Sequence, residues 1–362
     1  MAIQEEYQRY IRQIRVPEFG PEGQEKLSQA RVLVVGAGAL GCPTLQYLAA
    51  AGVGTIGIVD GDDVNLTNLH RQVLYTEADL GKPKVEVAAE RLLQLNSSVE
   101  VQKFFTVVHK NNIKSLLSDF DIAIDCSDNF PTKFLVNDAC VMQGKPCIIG
   151  SAIQFSGQLS VYNYMGGPTY RCLLAEEPDP LRITSCSQAG VIGMVPGIIG
   201  SMQALEALKV ITGIGKSLSG RLLQFDALSM NFNEFEVKLN PTNLEIKEFS
   251  DYSYSCPESE LEKFSINPEE FLEKLKGKNE VLVVAFSDDG EPIGFQNYVW
   301  QTIPLYELPN RVAALPFDVD LVLLCEYGIK SNTALHYLVE KHNFIRVYNL
   351  KDGVASLRSK FQ

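Results

Sequence analysis

The sequence predicts a doubly wound α/β fold, a mostly parallel sheet with an antiparallel extension, followed by a second, smaller α/β domain. Three observations carry this. Short apolar runs rich in β-branched residues alternate with helical patterns from Val32 to Gly150, the first run opens on a Gly-x-Gly-x-x-Gly turn, and the alternation resumes beyond a polar stretch at 241–266. The composition allows two cores: 362 residues, of which 46% are hydrophobic. A formal net charge of −12, from 32 Lys and Arg against 44 Asp and Glu, argues against nucleic acid, whose phosphates need a basic face. A nucleotide is still permitted, because a few amides and one or two cations can hold it.

The elements follow in order. Val32–Val35 reads as a strand buried on both faces, and Gly36, Gly38, Ala39 and Gly41 form the turn into a helix over Pro43–Ala51. A strand at Thr55–Val59 ends at Asp60, which completes a βαβ unit. Helices near Lys84–Leu95, Asn112–Leu117 and Thr132–Gln143 then alternate with strands near Val99–Phe105, Ile122–Asp125 and Cys147–Gly150. After Gly157 the alternating run QLSVYNY suits an antiparallel strand, Arg171–Gln188 reads as a long loop, and an apolar helix ends at Gly213. Residues 1–240 are expected to form the first domain, 241–266 a linker and 267–362 the second domain. Asn267-Pro268-Glu269-Glu270 opens a helix there, and Val281–Phe286 and Asp320–Cys325 are buried strands.

The amino terminus, MAIQEEYQRYIRQ, lacks the apolar core of a signal peptide. The uncharged stretch Ser185–Leu205 has the length of a membrane span, but Gln188, Pro196, Gln203 and four glycines make it a buried helix with a Gly-rich approach. Eight scattered cysteines fit a reducing compartment, so a cytoplasmic enzyme without a membrane segment is expected. Cys42, Cys126, Cys140 and Cys147 fall in core elements, and His70 and His109 are read as structural.

By itself the glycine turn, with Asp60 placed 19 residues after Gly41 to accept from ribose hydroxyls, points first to an NAD-dependent dehydrogenase. Asn68, Arg71, Gln72 and Lys84 redirect that reading. They crowd cations and an amide just after Asp60, as a triphosphate's larger charge requires. Asp125-Cys126-Ser127-Asp128-Asn129 follows a strand, so Asp128 could hold magnesium on phosphate oxygens, or could cap the helix beginning at Pro131 or Thr132.

RYIRQI, GAGALG, D-x-D-x-V-x-x-x-N-L-x-R-Q, G-x-P-K, D-C-S-D-N and SCSQAGVIG, in this order, resemble the ThiF/MoeB/HesA family, relatives of ubiquitin-activating enzymes, over about residues 5–240. The resemblance implies a Rossmann-like fold and ATP-dependent adenylation of the carboxyl-terminal glycine of a small β-grasp sulfur carrier ending in Gly-Gly. It implies that Gly36, Gly38, Ala39, Gly41, Asp60, Asn68, Arg71, Gln72, Lys84 and Asn129 surround ATP and that Asp128 binds magnesium. It also implies a homodimer in which Arg12 reaches the neighbour's triphosphate, and a Cys186 on a crossover segment that can act covalently. From its position alone Cys186 could equally pack under the loop.

The family's zinc, held by two Cys-x-x-Cys pairs, is not expected here. Thr169 and Ser259 stand at two of the four positions, leaving Cys172 and Cys256. Residues 265–362 resemble a rhodanese domain, with Cys325 at the persulfide position and VYNLKDGV as the later strand-to-helix signature. Ala285-Phe286-Ser287 stands where Asp-Val-Arg is usual, and Glu326 joins a loop whose remaining cation is Lys330. The expected protein activates a sulfur carrier, aided by this domain, with a cysteine desulfurase as a candidate sulfur donor. Adenylation of a non-carrier substrate, and a nucleotide-binding scaffold with a docking domain, are the alternatives.

Overall fold

The computed structural model of the chain describes residues 5–178, 190–250, 252, 262–276, 280–287 and 299–358. It divides into two compact units, one of Met1–Glu176 with Gly190–Phe249, the other containing Ser250–Gln362. In the first unit, β1 (Arg31–Val35), β2 (Thr55–Val59), β3 (Glu100–Phe104), β4 (Ile122–Asp125), β5 (Cys147–Ile153), β6 (Ser156–Tyr162), β7 (Arg221–Asp226) and β8 (Asn231–Glu236) form one sheet. Its order is β3-β2-β1-β4-β5-β6-β7-β8.

The first five strands are parallel because a helix returns the chain between each successive pair. These helices are Gly41–Ala51, Lys84–Leu95, Ile113–Ser118 and Phe130–Met142. β6, β7 and β8 are antiparallel. All of β2 and β4 is buried, which explains their unbroken apolar runs. β1 lies between β2 and β4, so the winding reverses there and the carboxyl ends of β1 and β4 open a crevice.

The apolar helix Met194–Thr212 belongs to this core. Val195, Ile199, Ala204 and Ala207 are buried in it, and Thr44 Oγ1 donates to the Gly200 carbonyl at 2.9 Å. A side chain at Gly200 would meet the Leu40 carbonyl at 2.3 Å, so the glycine lets this helix approach the one at Gly41–Ala51.

The second unit has a five-stranded, all-parallel sheet. Its strands are β9 (Ser265–Ile266), β10 (Val281–Phe286), β11 (Val299–Ile303), β12 (Asp320–Leu324) and β13 (Val347–Leu350), in the order β11-β10-β12-β13-β9. Val284, Phe286, Leu321 and Leu323 feed one core layer, and Val283, Ala285, Val322 and Leu324 feed the other. The helix Pro268–Lys276 starts on a reciprocal cap: the Asn267 amide donates to Glu270 Oε2 at 2.8 Å and the Glu270 amide to Asn267 Oδ1 at 3.0 Å.

The structure differs from the sequence reading in several places, among them the strands β7, β8 and β11, which that reading did not place. Ser265–Ile266, read as linker, is an edge strand, which a two-residue pattern cannot announce. Residues 171–173, read as the start of a long loop, belong to the helical turn Tyr170–Leu173. β6 alternates only at Gln158, because the Ser160 hydroxyl donates to the Leu218 and Arg221 carbonyls and can therefore be buried.

Candidate active site

The glycine turn forms one wall of the crevice. Gly36 has φ +95° and donates to the Val59 carbonyl at 2.8 Å, and a Cβ there would meet the Cys126 carbonyl carbon at 3.0 Å. At Gly41 a Cβ would lie 2.1 Å from the Gly36 carbonyl oxygen, so neither position accepts a side chain. Gly38 and Ala39 are half-buried between them. The turn leads into the helix Gly41–Ala51, where the Cys42 amide donates to the Gly38 carbonyl at 2.9 Å, the Thr44 amide to the Leu40 carbonyl at 3.3 Å, and Pro43 has no N–H. Asp60 is tied to the turn: its Oδ2 accepts from the Ala37 amide at 2.7 Å, its Oδ1 from the Asp62 amide at 2.8 Å. Burial pushes this carboxyl above the usual range, with Lys84 opposing.

Lys84 begins the helix Lys84–Leu95 and is 4% exposed. Its Nζ donates to Asp62 Oδ2 at 2.8 Å. Burial alone would lower its pKa, but the charges of Asp60, Asp62 and Asp128 and the Asp62 hydrogen bond outweigh this, so it stays a cation. Those interactions bring the family's Asp60, Lys84 and Asp128 together electrostatically.

A single 3-10 turn at Leu66–Asn68, capped by Asn65, leads to Arg71 and Gln72. The Asn68 carbonyl accepts from the amides of Arg71, at 3.0 Å, and Gln72, at 2.9 Å. Arg71 is half-buried and donates to the Thr67 carbonyl at 3.0 Å. Gln72 is buried, yet its Oε1 has no hydrogen-bond partner among the described residues, while its Nε2 lies 3.5 Å from where a Cβ would stand on Gly38. An orphaned amide oxygen on a side chain that lies against the glycine cradle fits a nucleotide that brings its own hydrogen-bonding groups.

At the end of β4, Asp125 is fully buried and pairs with Lys133 Nζ at 2.7 Å. Asp128 is exposed and does not cap the following helix. Asn129 does so, its Oδ1 accepting from the Thr132 amide at 2.9 Å, while its Nδ2 reaches Asp128 Oδ1 at 3.5 Å. That overturns the capping reading of Asp128 and commits the Asn129 oxygen to the helix. One exposed carboxylate suits magnesium, which takes its other oxygens from phosphates and water. Sequence reasoning missed Asp62, Lys133 and Tyr75, whose hydroxyl donates to the Ala37 carbonyl at 2.7 Å. The signal for Lys133 was a lysine in the first turn of a helix, where the dipole disfavours a cation.

Arg12 sits exposed in the single turn Ile11–Ile14. Its neighbours fasten that turn: the Tyr10 hydroxyl accepts from Asn96 Nδ2 at 2.7 Å, and Gln13 Nε2 donates to the Ala51 carbonyl at 2.8 Å.

No group of three or more His, Cys, Asp or Glu among the described residues could hold a metal. The Cys172 sulfur instead accepts from the amides of Thr169, at 3.4 Å, and Asn240, at 3.3 Å, and from Asn243 Nδ2 at 3.6 Å. Burial alone would raise its pKa, but these bonds outweigh that and lower it. Cys256 and Cys186 lie outside the described residues. Burial pushes the Cys42 and Cys126 thiols up to about 12, so both stay protonated and inert.

In the second unit Cys325 follows β12 and is 3% exposed. Its sulfur accepts from the Ser331 amide at 3.4 Å and lies 3.3 Å from the Ser331 hydroxyl. The loop turns through Gly328, at φ +78°, into the helix Ile329–His336. The Cys325 and Glu326 carbonyls accept from the Val354 and Ala355 amides, both at 2.9 Å, which fixes the loop to the helix Gly353–Arg358.

Fold and crevice together define a nucleotide-binding α/β protein of the ThiF class: the ThiF family model matches residues 10–246, and the chain belongs to that family. The sulfur carrier protein adenylyltransferase of Thermus thermophilus is 50% identical over 242 residues, 66% of this chain and 89% of that one. The adenylyltransferase and sulfurtransferase MOCS3 of Drosophila yakuba is 36% identical over 376 residues, 97% of this chain and 82% of that one, so this likeness extends through both units. A crystal structure of E. coli MccB with MccA-N7isoASN shares the fold at a TM-score of 0.58 and 23% identity, over 65% of this chain and 73% of that one.

Proposed function

We propose that the first unit uses ATP to adenylate the carboxyl-terminal glycine of a ubiquitin-like sulfur carrier, and that the second unit assists its conversion to a thiocarboxylate. The observation that carries this is Lys84, a buried cation facing Asp60, Asp62 and Asp128 beside a glycine turn. A dinucleotide's pyrophosphate is served mostly by helix amides, whereas cleavage at an α-phosphate calls for cations held near the reacting oxygens.

In this reading the glycine turn takes the phosphates, and Asp60 takes the ribose. Asn68, Arg71, Gln72 and Lys84 contact the nucleotide. Asp128, supported by Asn129, would hold magnesium, which neutralises phosphate charge. The carrier's carboxylate oxygen bonds to the α-phosphorus as the bond to the bridging oxygen breaks, and pyrophosphate leaves. The nucleophile is already an anion at neutral pH, so no general base is required. Two anions approach each other, so charge neutralisation by Arg71 and Lys84 is the main demand. Arg12 would complete the triphosphate clamp of a second copy in a homodimer. A cytoplasmic setting accords with six described cysteines that are all free thiols.

The test is ATP–pyrophosphate exchange with a β-grasp carrier ending in Gly-Gly. Exchange should require the carrier and magnesium, and Asp128→Ala should lower it by about 100-fold or more, as for loss of a main charge-stabilising group. Exchange that proceeds equally without carrier would overturn the substrate class. Undiminished exchange in Asp128→Ala would remove that residue from the machinery.

A further inference from the structure

Lys133 is 4% exposed and lies in the first turn of the helix Phe130–Met142, against the helix dipole. All three of its ammonium protons are engaged at short range. Nζ donates to Asp125 Oδ1 at 2.7 Å, to the Ser127 carbonyl at 2.8 Å and to the Gly150 carbonyl at 2.7 Å. The same short piece of chain is held from its other sides. Gln203 Nε2 donates to the Asp125 carbonyl at 2.7 Å, the Cys126 amide to the Val35 carbonyl at 2.8 Å, and the Ser127 hydroxyl to Asp125 Oδ1 at 2.9 Å. Asp128 is the next residue. The Gly36 turn rests on this chain as well, with the Cys126 carbonyl 3.0 Å from a Cβ position at Gly36.

A buried ion pair made only for stability needs no carbonyl partners from a loop and a neighbouring strand. Here two of the three bonds grip backbone, and one of them grips the residue immediately before the exposed carboxylate. We propose that Lys133 is a positioning residue of the active site: it fixes the backbone of Asp125–Ser127 so that Asp128 is presented at one place above the glycine turn. It touches neither nucleotide nor metal, and its effect runs through Asp128. The inference rests on the reading of Asp128 as the magnesium-binding carboxylate.

The experiment is titration of the full chain with α,β-methylene-ATP across a magnesium series, which needs no carrier protein. Lys133→Met should raise the half-saturating magnesium concentration by about 10-fold or more, the usual cost of losing a group that orients a ligand. Nucleotide binding without magnesium should stay unchanged. Lys133→Arg, which keeps a cation and several donors, should stay within about threefold of the parent chain, a rescue that follows from retained hydrogen bonding. A purely structural role would lower the fraction of binding-competent protein and leave the magnesium midpoint alone. Because Lys133→Met strands a buried carboxylate, Asp125→Asn combined with Lys133→Gln removes both charges together and should raise the midpoint in the same direction. Asp128→Asn is run alongside. If it raises the midpoint and neither Lys133 variant does, the positioning role is overturned and the metal reading stands. If Asp128→Asn leaves the midpoint unchanged, the metal reading falls and the positioning role falls with it.

Discussion

Cys325 shows how much of a residue's chemistry depends on what surrounds a single atom. The Ser331 amide donates to its sulfur at 3.4 Å, and the Ser331 hydroxyl lies 3.3 Å from it in a contact where either atom can donate. A small dianion such as thiosulfate needs local positive charge to be captured, and this loop carries Glu326 beside Lys330. A protein donor brings its own binding surface and needs that charge less. The transfer is a thiolate exchange: the Cys325 thiolate attacks the outer sulfur of the donor's persulfide, the sulfur–sulfur bond breaks, and the donor leaves as a thiolate. Cys325 should therefore be labelled by a cysteine desulfurase carrying labelled sulfur, and much less by free thiosulfate. Mass spectrometry of the parent chain, Cys325→Ala and Cys186→Ala would locate the label. Ready labelling by thiosulfate would defeat the electrostatic argument, and no labelling from either source would leave the second unit as a docking domain.

Among the elements, the turn that delivers Lys84 to the crevice is held by one carboxylate. Asp79 Oδ2 accepts from the Thr76 amide at 3.0 Å, the Thr76 hydroxyl at 2.8 Å and Arg91 at 3.2 Å, and Oδ1 from Lys82 at 3.3 Å. Burial alone would raise its pKa, but these bonds outweigh it and bring the carboxyl down to about 2. A folded-state pKa below the unfolded value near 3.9 means that the stabilisation is complete above pH about 4 and is lost as pH falls toward about 2. Chemical denaturation across that range should show stability falling with acid, and Asp79→Asn should remove part of that slope while lowering stability at neutral pH. An unchanged slope in the variant would show that other carboxylates, such as the paired Asp320, carry the acid response. Lys133 makes the complementary point. Its burial is tolerable only because Asp125 and two carbonyls accept its protons, and removing the cation alone would cost about 3–5 kcal/mol.

Across the whole molecule, the two units have separate sheets and separate cores, and only the first holds the crevice. A ligand stabilises what it binds, so ATP with magnesium should raise the unfolding temperature of one transition and leave a second in place. Differential scanning calorimetry of the full chain checks this, and a single transition that shifts as one would show that the units unfold together.

The order of strands and helices from Val32 to Asp125 was legible in the sequence because the central parallel strands β1, β2 and β4 are almost wholly buried and each connection between parallel strands must be a helix. Gly36, Gly41, Asp60, Lys84 and Asp128 could be listed for the same reason: their residue types stand at fixed places relative to those elements, at strand ends or helix starts. Tertiary structure alone decided the rest. Only the fold brings Lys133 onto two strands, gives the helix cap to Asn129 instead of Asp128, leaves the Gln72 oxygen orphaned, and turns Ser265–Ile266 into an edge strand. Periodicity reports which face of an element meets the core. Which polar atom meets which is set by three-dimensional proximity: Lys133 reaches the Gly150 carbonyl 17 residues away, and the choice of Asn129 over its neighbour Asp128 as the cap depends on how the chain leaves β4.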